Sequence, residues 1–180
     1  MANDEPQNLR DRFVEIRSPW LTLIGEHIEG DRGQVLDYWR VEKADSAVII
    51  TLQGDRLILP KPAYRPGLAA TTLDFPGGRI PHEETPLTIA PKILQRELGI
   101  SSTAIHHLEQ LNETGWAINS SFSNQKLYGL VAIIDPGFAI PIGLIGKTYD
   151  LTKTGLQNLK EDLTCLQCRA VFLEWRDRVF

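Results

Sequence analysis

The hydrophobic positions of this chain fall into two kinds of segment. Residues 20–28 (WLTLIGEHI) and 35–42 (VLDYWRVE) show partial alternation of apolar and polar side chains, the period-two pattern of half-buried strands. The turn-forming GDRG between them predicts a β-hairpin. Residues 46–52 (SAVIITL) and 56–60 (RLILP) are nearly continuous aliphatic runs separated by Gly54 and Asp55, which predicts two central strands of a mixed sheet. Residues 61–70 (KPAYRPGLAA) contain two prolines and a glycine, so they read as a loop feeding a short strand, TLDF, at 72–75. Further strands are predicted over 106–114 and 126–134 (KLYGLVAII). The intervening GWAINSSFSN is a loop long enough to carry function.

Helical signals come later in the chain. Thr85 is a candidate N-cap with Pro86 in the first helical position. Pro91, five residues on, lacks the N–H a helix needs and costs about 3 kcal/mol inside a regular one. The pattern therefore predicts a helix that starts near Pro91 or is kinked there. Residues 152–163 and 164–179 have helical spacing, with Leu156, Leu159 and Leu163, then Leu166, Val171, Leu173 and Trp175 as apolar faces. Strands, a central helix, more strands and terminal helices make an α/β fold, an α/β/α sandwich with a mixed sheet and an N-terminal hairpin. Residues 1–12 are polar and read as a flexible arm, and residues 13–180 as one domain.

Composition narrows the function classes. With 180 residues, 42% of them hydrophobic and 23% charged, the chain can bury one sizeable core. A formal net charge of -4 disfavours nonspecific binding to nucleic acid. No apolar run reaches the length of a membrane span, and the polar opening MANDEPQNLRDR lacks a secretory apolar region. A cytoplasmic protein with no membrane partner is expected. Cys165 and Cys168 form a lone C-x-x-C. Without a second pair or a nearby histidine it reads as reduced structural cysteines on a helix, ahead of a redox role.

The candidate chemistry lies in residues 77–100, GGRIPHEETPLTIAPKILQRELGI. Six steps after Gly78 comes Glu84, and thirteen more bring Glu97, followed by Gly99 and Ile100. This frame resembles the signature of the Nudix hydrolases, G-x5-E-x7-R-E-U-x-E-E-x-G-U, with U aliphatic. Lys92 stands where that signature has Arg, Ile93 where it has its first helical Glu, and Arg96 where it has the second. The flanks PAYRPG and TLDFPGG, and then SFSNQKLYGLVA, resemble the ADP-ribose pyrophosphatase branch, so the likeness runs over residues 47–134. The hairpin sits where that branch carries its dimerising strands, which implies a homodimer.

The resemblance implies hydrolysis of a phosphoanhydride in a nucleoside diphosphate linked to another group. That reaction needs divalent cations, magnesium or manganese, to neutralise phosphate charge and activate water. These hard ions take oxygen ligands. Two carboxylates at i and i+4 of a helix share one face and can share a metal, yet here those positions are Ile93 and Glu97. The remaining donors are Glu84, Glu97, the carbonyl of Gly77, which resembles a backbone ligand of the branch, and Glu83 as a displaced substitute. Arg65, Lys92, Arg96 and Gln125 are the candidate ligand-binding residues, Gln125 standing where the branch has a loop Glu. Each has an ordinary alternative. Ile93 extends a packing face, Arg96 pairs with Glu97 or Asp74, and Trp116 and Phe122 simply pack.

The expected function is recognition of an ADP-ribose-like ligand with hydrolysis weakened or lost. One alternative is an active magnesium-dependent pyrophosphohydrolase of ADP-ribose or a nucleotide sugar. Another is a protein-interaction module on a vestigial Nudix fold. If only position was lost, the pair Ile93→Glu and Arg96→Glu is expected to restore metal affinity.

Overall fold

The computed structural model describes residues 9–179. The chain divides into two compact units, one of Met1–Ala44 with Ala117–Lys126 and one of Asp45–Trp116 with Leu127–Phe180.

The first unit is built on a three-stranded antiparallel sheet of β1 (Leu9–Arg17), β2 (Thr22–Glu29) and β3 (Val35–Glu42), with β2 in the middle. The hairpin β2–β3 agrees with the alternation pattern. β1 corrects the reading of residues 1–12 as an arm, because Leu9 to Arg12 belong to a strand; residues 1–8 lie outside the described residues. Charged residues make up much of β1, and cross-strand pairing accommodates them. Arg10 meets Glu29 at 3.0 Å and Arg12 meets Glu26 at 3.1 Å. Glu26, only 5% exposed, is also held by Arg40 at 2.8 Å. Hydrogen bonds from Arg40 outweigh the burial penalty and lower its pKa. Gly25 has a packing role, since a Cβ there would stand 2.7 Å from the Phe13 ring, which packs edge-on against Trp39 with centroids 5.3 Å apart. Loop residues 117–126 complete this unit through bonds such as Val41 N–H to the Phe122 carbonyl at 2.7 Å.

The second unit carries the main sheet. Its strands are β4 (Ser46–Gln53), β5 (Arg56–Pro60), β8 (Gly77–Arg79), β9 (Ile105–Gln110), the two-residue β10 (Trp116–Ala117), which pairs with β11, β11 itself (Lys126–Ile134) and β12 (Ile145–Asp150); β6 (Ala63–Arg65) and β7 (Ala70–Thr72) form a small separate hairpin. β4 runs parallel to β11 and antiparallel to β5 and β8, so the sheet is mixed. The aliphatic run of β4 is explained by burial on both faces. Ala47 and Ile49 join Leu130, Ala132 and Ile134 of β11 in a core under helix α1 (Pro86–Leu98). The side chains between them point the other way, where Gly129 faces Val171 of helix α3 (Leu166–Val179). Helix α2 (Lys153–Asp162), capped by Thr152, packs on β12. Helices on both sheet faces make the expected sandwich.

Several boundaries moved. The TLDF strand ends at Thr72, leaving Leu73 to Phe75 outside any strand. The segment read as a loop contains β6. β12 was not anticipated, because IGKTYD has little apolar pattern and lies at the sheet edge. Leu166 is 76% exposed rather than part of an apolar face, whereas Val171, Phe172 and Trp175 are buried.

Candidate functional site

Helix α1 begins at Pro86 and runs unbroken to Leu98, correcting the expectation of a late start at Pro91. Thr85 caps it through a reciprocal capping box with Thr88, which offsets the orphan donors of the first turn. Pro91 removes the bond that the Leu87 carbonyl would accept four residues back. Leu87 is 44% exposed, so water can satisfy that group and the cost is reduced. The helix closes on Gly99, whose φ of 68° is left-handed and favours glycine.

This helix sends Ile93 inward. The side chain is 1% exposed, in the core with Leu94, Leu98 and Ile80. Its packing role is therefore established, and position 93 offers no carboxylate one turn before Glu97.

The polar groups of the motif are engaged with one another. Glu84 accepts from the Lys92 ammonium and, at 2.7 Å, from the Thr88 hydroxyl, and these bonds lower its pKa, Lys92 having the larger effect. One nitrogen of Arg96, Nη2, donates to the Gly77 carbonyl at 2.9 Å and to Glu97 Oε1 at 2.6 Å. A guanidinium thus bridges the Gly77 carbonyl and Glu97, two of the candidate cation donors. Arg65 donates to Asp74 Oδ2 from Nε at 2.9 Å and from Nη2 at 2.6 Å. Glu83 is exposed on the turn before the helix. Gln125 lies in the other unit, buried, with its amide donating to the Ala44 carbonyl at 2.9 Å. The remaining oxygens do not fit a two- or three-cation magnesium site. Glu84, Glu97 and Gly77 already have cationic partners, and the fourth position is a core isoleucine.

Beside the motif lies a cavity of about 330 Å³. Its wall includes Arg65, Asp74, Gly77, Glu97, Cys165 and Cys168. Ser46 also lines it, with a buried hydroxyl that has no hydrogen-bond partner. An adjoining recess of about 260 Å³ shares Arg65 and Glu97 and continues toward Pro60 and Leu144.

The two cysteines were not anticipated here. They lie 91 and 94 positions from Asp74 along the chain, and nothing local links them. Cys165 immediately precedes α3, its carbonyl accepting the Arg169 N–H at 3.0 Å, and Cys168 is buried one turn in. The Cys168 thiol donates to Cys165, and together with backbone N–H groups at the helix start this lowers the Cys165 pKa to about 6. Cys168 is pushed up by the same hydrogen bond and by burial. Alkylation by iodoacetamide is therefore expected to modify Cys165 first, with a rate that rises through about pH 6 and levels off above it. Peptide mapping across pH checks this, and a rate still climbing at the ordinary thiol value of 9 would contradict the geometry.

No family model and no curated protein matches the sequence. Among solved structures, one described as an ADP compounds hydrolase superposes with a TM-score of 0.76 at 20% identity, covering 97% of this chain and 95% of that one. At that identity the likeness concerns architecture alone. Among the described residues, no helix is long and apolar enough to cross a membrane. The mixed sheet between helices, the antiparallel N-terminal strands and this superposition together give the chain a Nudix-type α/β fold.

Proposed function

We propose that this protein binds a nucleoside-diphosphate-linked ligand of the ADP-ribose kind and hydrolyses it weakly or not at all. The observation that carries the reading is Arg96 Nη2, which lies between the Gly77 carbonyl and Glu97 and supplies fixed positive charge where a hydrolase of this fold needs cations. Arg65 and Arg96 offer planar guanidinium donors to a diphosphate, even while each is paired with a carboxylate. The cavity and its adjoining recess extend on both sides of Arg65 and Glu97, which suits a ligand with two end groups. Lys92, tied to Glu84, acts less directly.

A homodimer through the N-terminal strands belongs to the same reading. It is supported by the exposure of Ile16, Trp20, Val35 and Trp39 in the first unit. A cytoplasmic location belongs to the same reading and is supported by two cysteines held as free thiols.

The experiment is a thermal-shift panel of nucleoside diphosphate compounds with and without magnesium, run beside a hydrolysis assay. The expected result is stabilisation by ADP-ribose or a close analogue that does not require magnesium. Turnover of about 1 per second with magnesium would return the protein to the active hydrolases, and stabilisation by no compound of the panel would remove the nucleotide reading.

A further inference from the structure

We propose that Asp74, Cys165 and Cys168 form a binding site for one thiophilic divalent cation, zinc or a cation of similar softness, on the wall of the cavity. This site is separate from the Glu84, Glu97 and Gly77 donors, and it does not depend on the nucleotide reading.

The geometry carries it. The carboxylate oxygen and the two sulfurs all lie within 4.8 Å of one another. A tetrahedral zinc ion, with bonds of about 2.3 Å to sulfur and about 2.1 Å to oxygen, requires ligand atoms about 3.6–3.8 Å apart. Cys168 Sγ and Asp74 Oδ1 are already 3.9 Å apart. Only small rotations separate the present arrangement from a coordination triangle.

The supporting groups are placed as a metal site needs them. Asp74 uses Oδ2 for Arg65 and, at 2.9 Å, for the Thr72 hydroxyl. These bonds fix the carboxylate with Oδ1 turned toward the thiols, as outer groups orient ligands in metal sites. Cys165 and Cys168 are one turn apart at the N-terminus of α3, whose dipole favours the negative charge of two thiolates. Arg65 and a dication together balance the charge of two thiolates and one carboxylate. All three ligands line the cavity, so the fourth position faces the open space, the pattern of a site that retains a water or takes a ligand atom. Thiolates select zinc or cobalt over magnesium.

The test uses the reduced full-length protein titrated with cobalt(II) under a phosphine reductant, read by optical absorption, followed by zinc competition. The expected result is one equivalent of cobalt with thiolate-to-metal charge-transfer bands and the strong visible bands of tetrahedral cobalt, displaced by zinc. Cys165→Ser and Cys168→Ser should each weaken binding at least a hundredfold and reduce the charge-transfer intensity. Asp74→Asn should weaken it about tenfold while leaving the charge-transfer bands. Cys165 is half-buried, so its variant remains informative if the Cys168 variant fails to fold. Absence of the charge-transfer bands at stoichiometric cobalt overturns the proposal. So does binding that survives Cys165→Ser but is lost in Glu84→Gln with Glu97→Gln, because the cation would then belong to the helix motif.

Discussion

Ile93→Glu is expected to destabilise the protein by about 4 kcal/mol, enough to unfold much of a marginally stable population at physiological temperature. Ile93 is 1% exposed in a core of aliphatic side chains, where a carboxylate would find neither water nor an obvious donor. Burial raises the pKa of such a group above its unfolded value. The penalty should therefore be least at acid pH and grow as pH rises through and beyond about 4.3. Denaturant titrations of the variant at several pH values measure this. Ile93→Val, which removes one methylene, should cost only about 1 kcal/mol. A glutamate variant melting within about 2 °C of the parent would mean that the side chain can turn to the surface, and then that the helix face is not the one described. The double substitution expected from sequence to restore metal affinity is thus predicted to fail through its first half.

Arg96→Glu alone is expected to create cation affinity without harming the fold. The Arg96 side chain is 61% exposed, and surface ion pairs contribute little to stability. Its removal frees the Gly77 carbonyl and Glu97 Oε1, which now share one guanidinium nitrogen. Its replacement makes the local charge two units more negative beside both acceptors, a change that favours a bound dication. Manganese binding, read by water-proton relaxation, should tighten by about a hundredfold, or about 2.7 kcal/mol. An unchanged affinity would show that Gly77 and Glu97 do not converge on a cation position once the guanidinium is gone. Hydrolysis is not expected to return, since position 93, one turn before Glu97, is still an isoleucine with no carboxylate.

The sequence disclosed most of the architecture for physical reasons. Central strands such as β4 and β5 are buried on both faces and must be aliphatic, and Gly99 marks the helix end by a left-handed φ that suits a residue without a Cβ. Edge elements were harder to read. β1 satisfies its charged side chains by pairing them across to β2, and β12 is made of residues a loop could equally use. At the site, the identities of Ile93 and Arg96 were plain from spacing, while their orientations were not. Whether Ile93 is buried and which acceptors Arg96 reaches depend on helix rotation. The convergence of Asp74 with Cys165 and Cys168 joins segments some ninety positions apart, and no local pattern encodes it.

Rigidity is unevenly distributed around the cavity. Its rear wall, residues 46–48, belongs to β4, which is hydrogen-bonded to β11 on one side and β8 on the other and covered on both faces. Arg65 instead sits on the small β6–β7 hairpin, where every residue except Thr72 is exposed and Ala69 adopts a left-handed φ of 50°. Opening free energies are lowest where few apolar contacts hold the backbone. Accommodation of a guest molecule therefore falls to this hairpin. The Arg65–Asp74 pair is its tether, so that exchanging Asp74 for phosphate oxygens would release the hairpin from the rest of the wall.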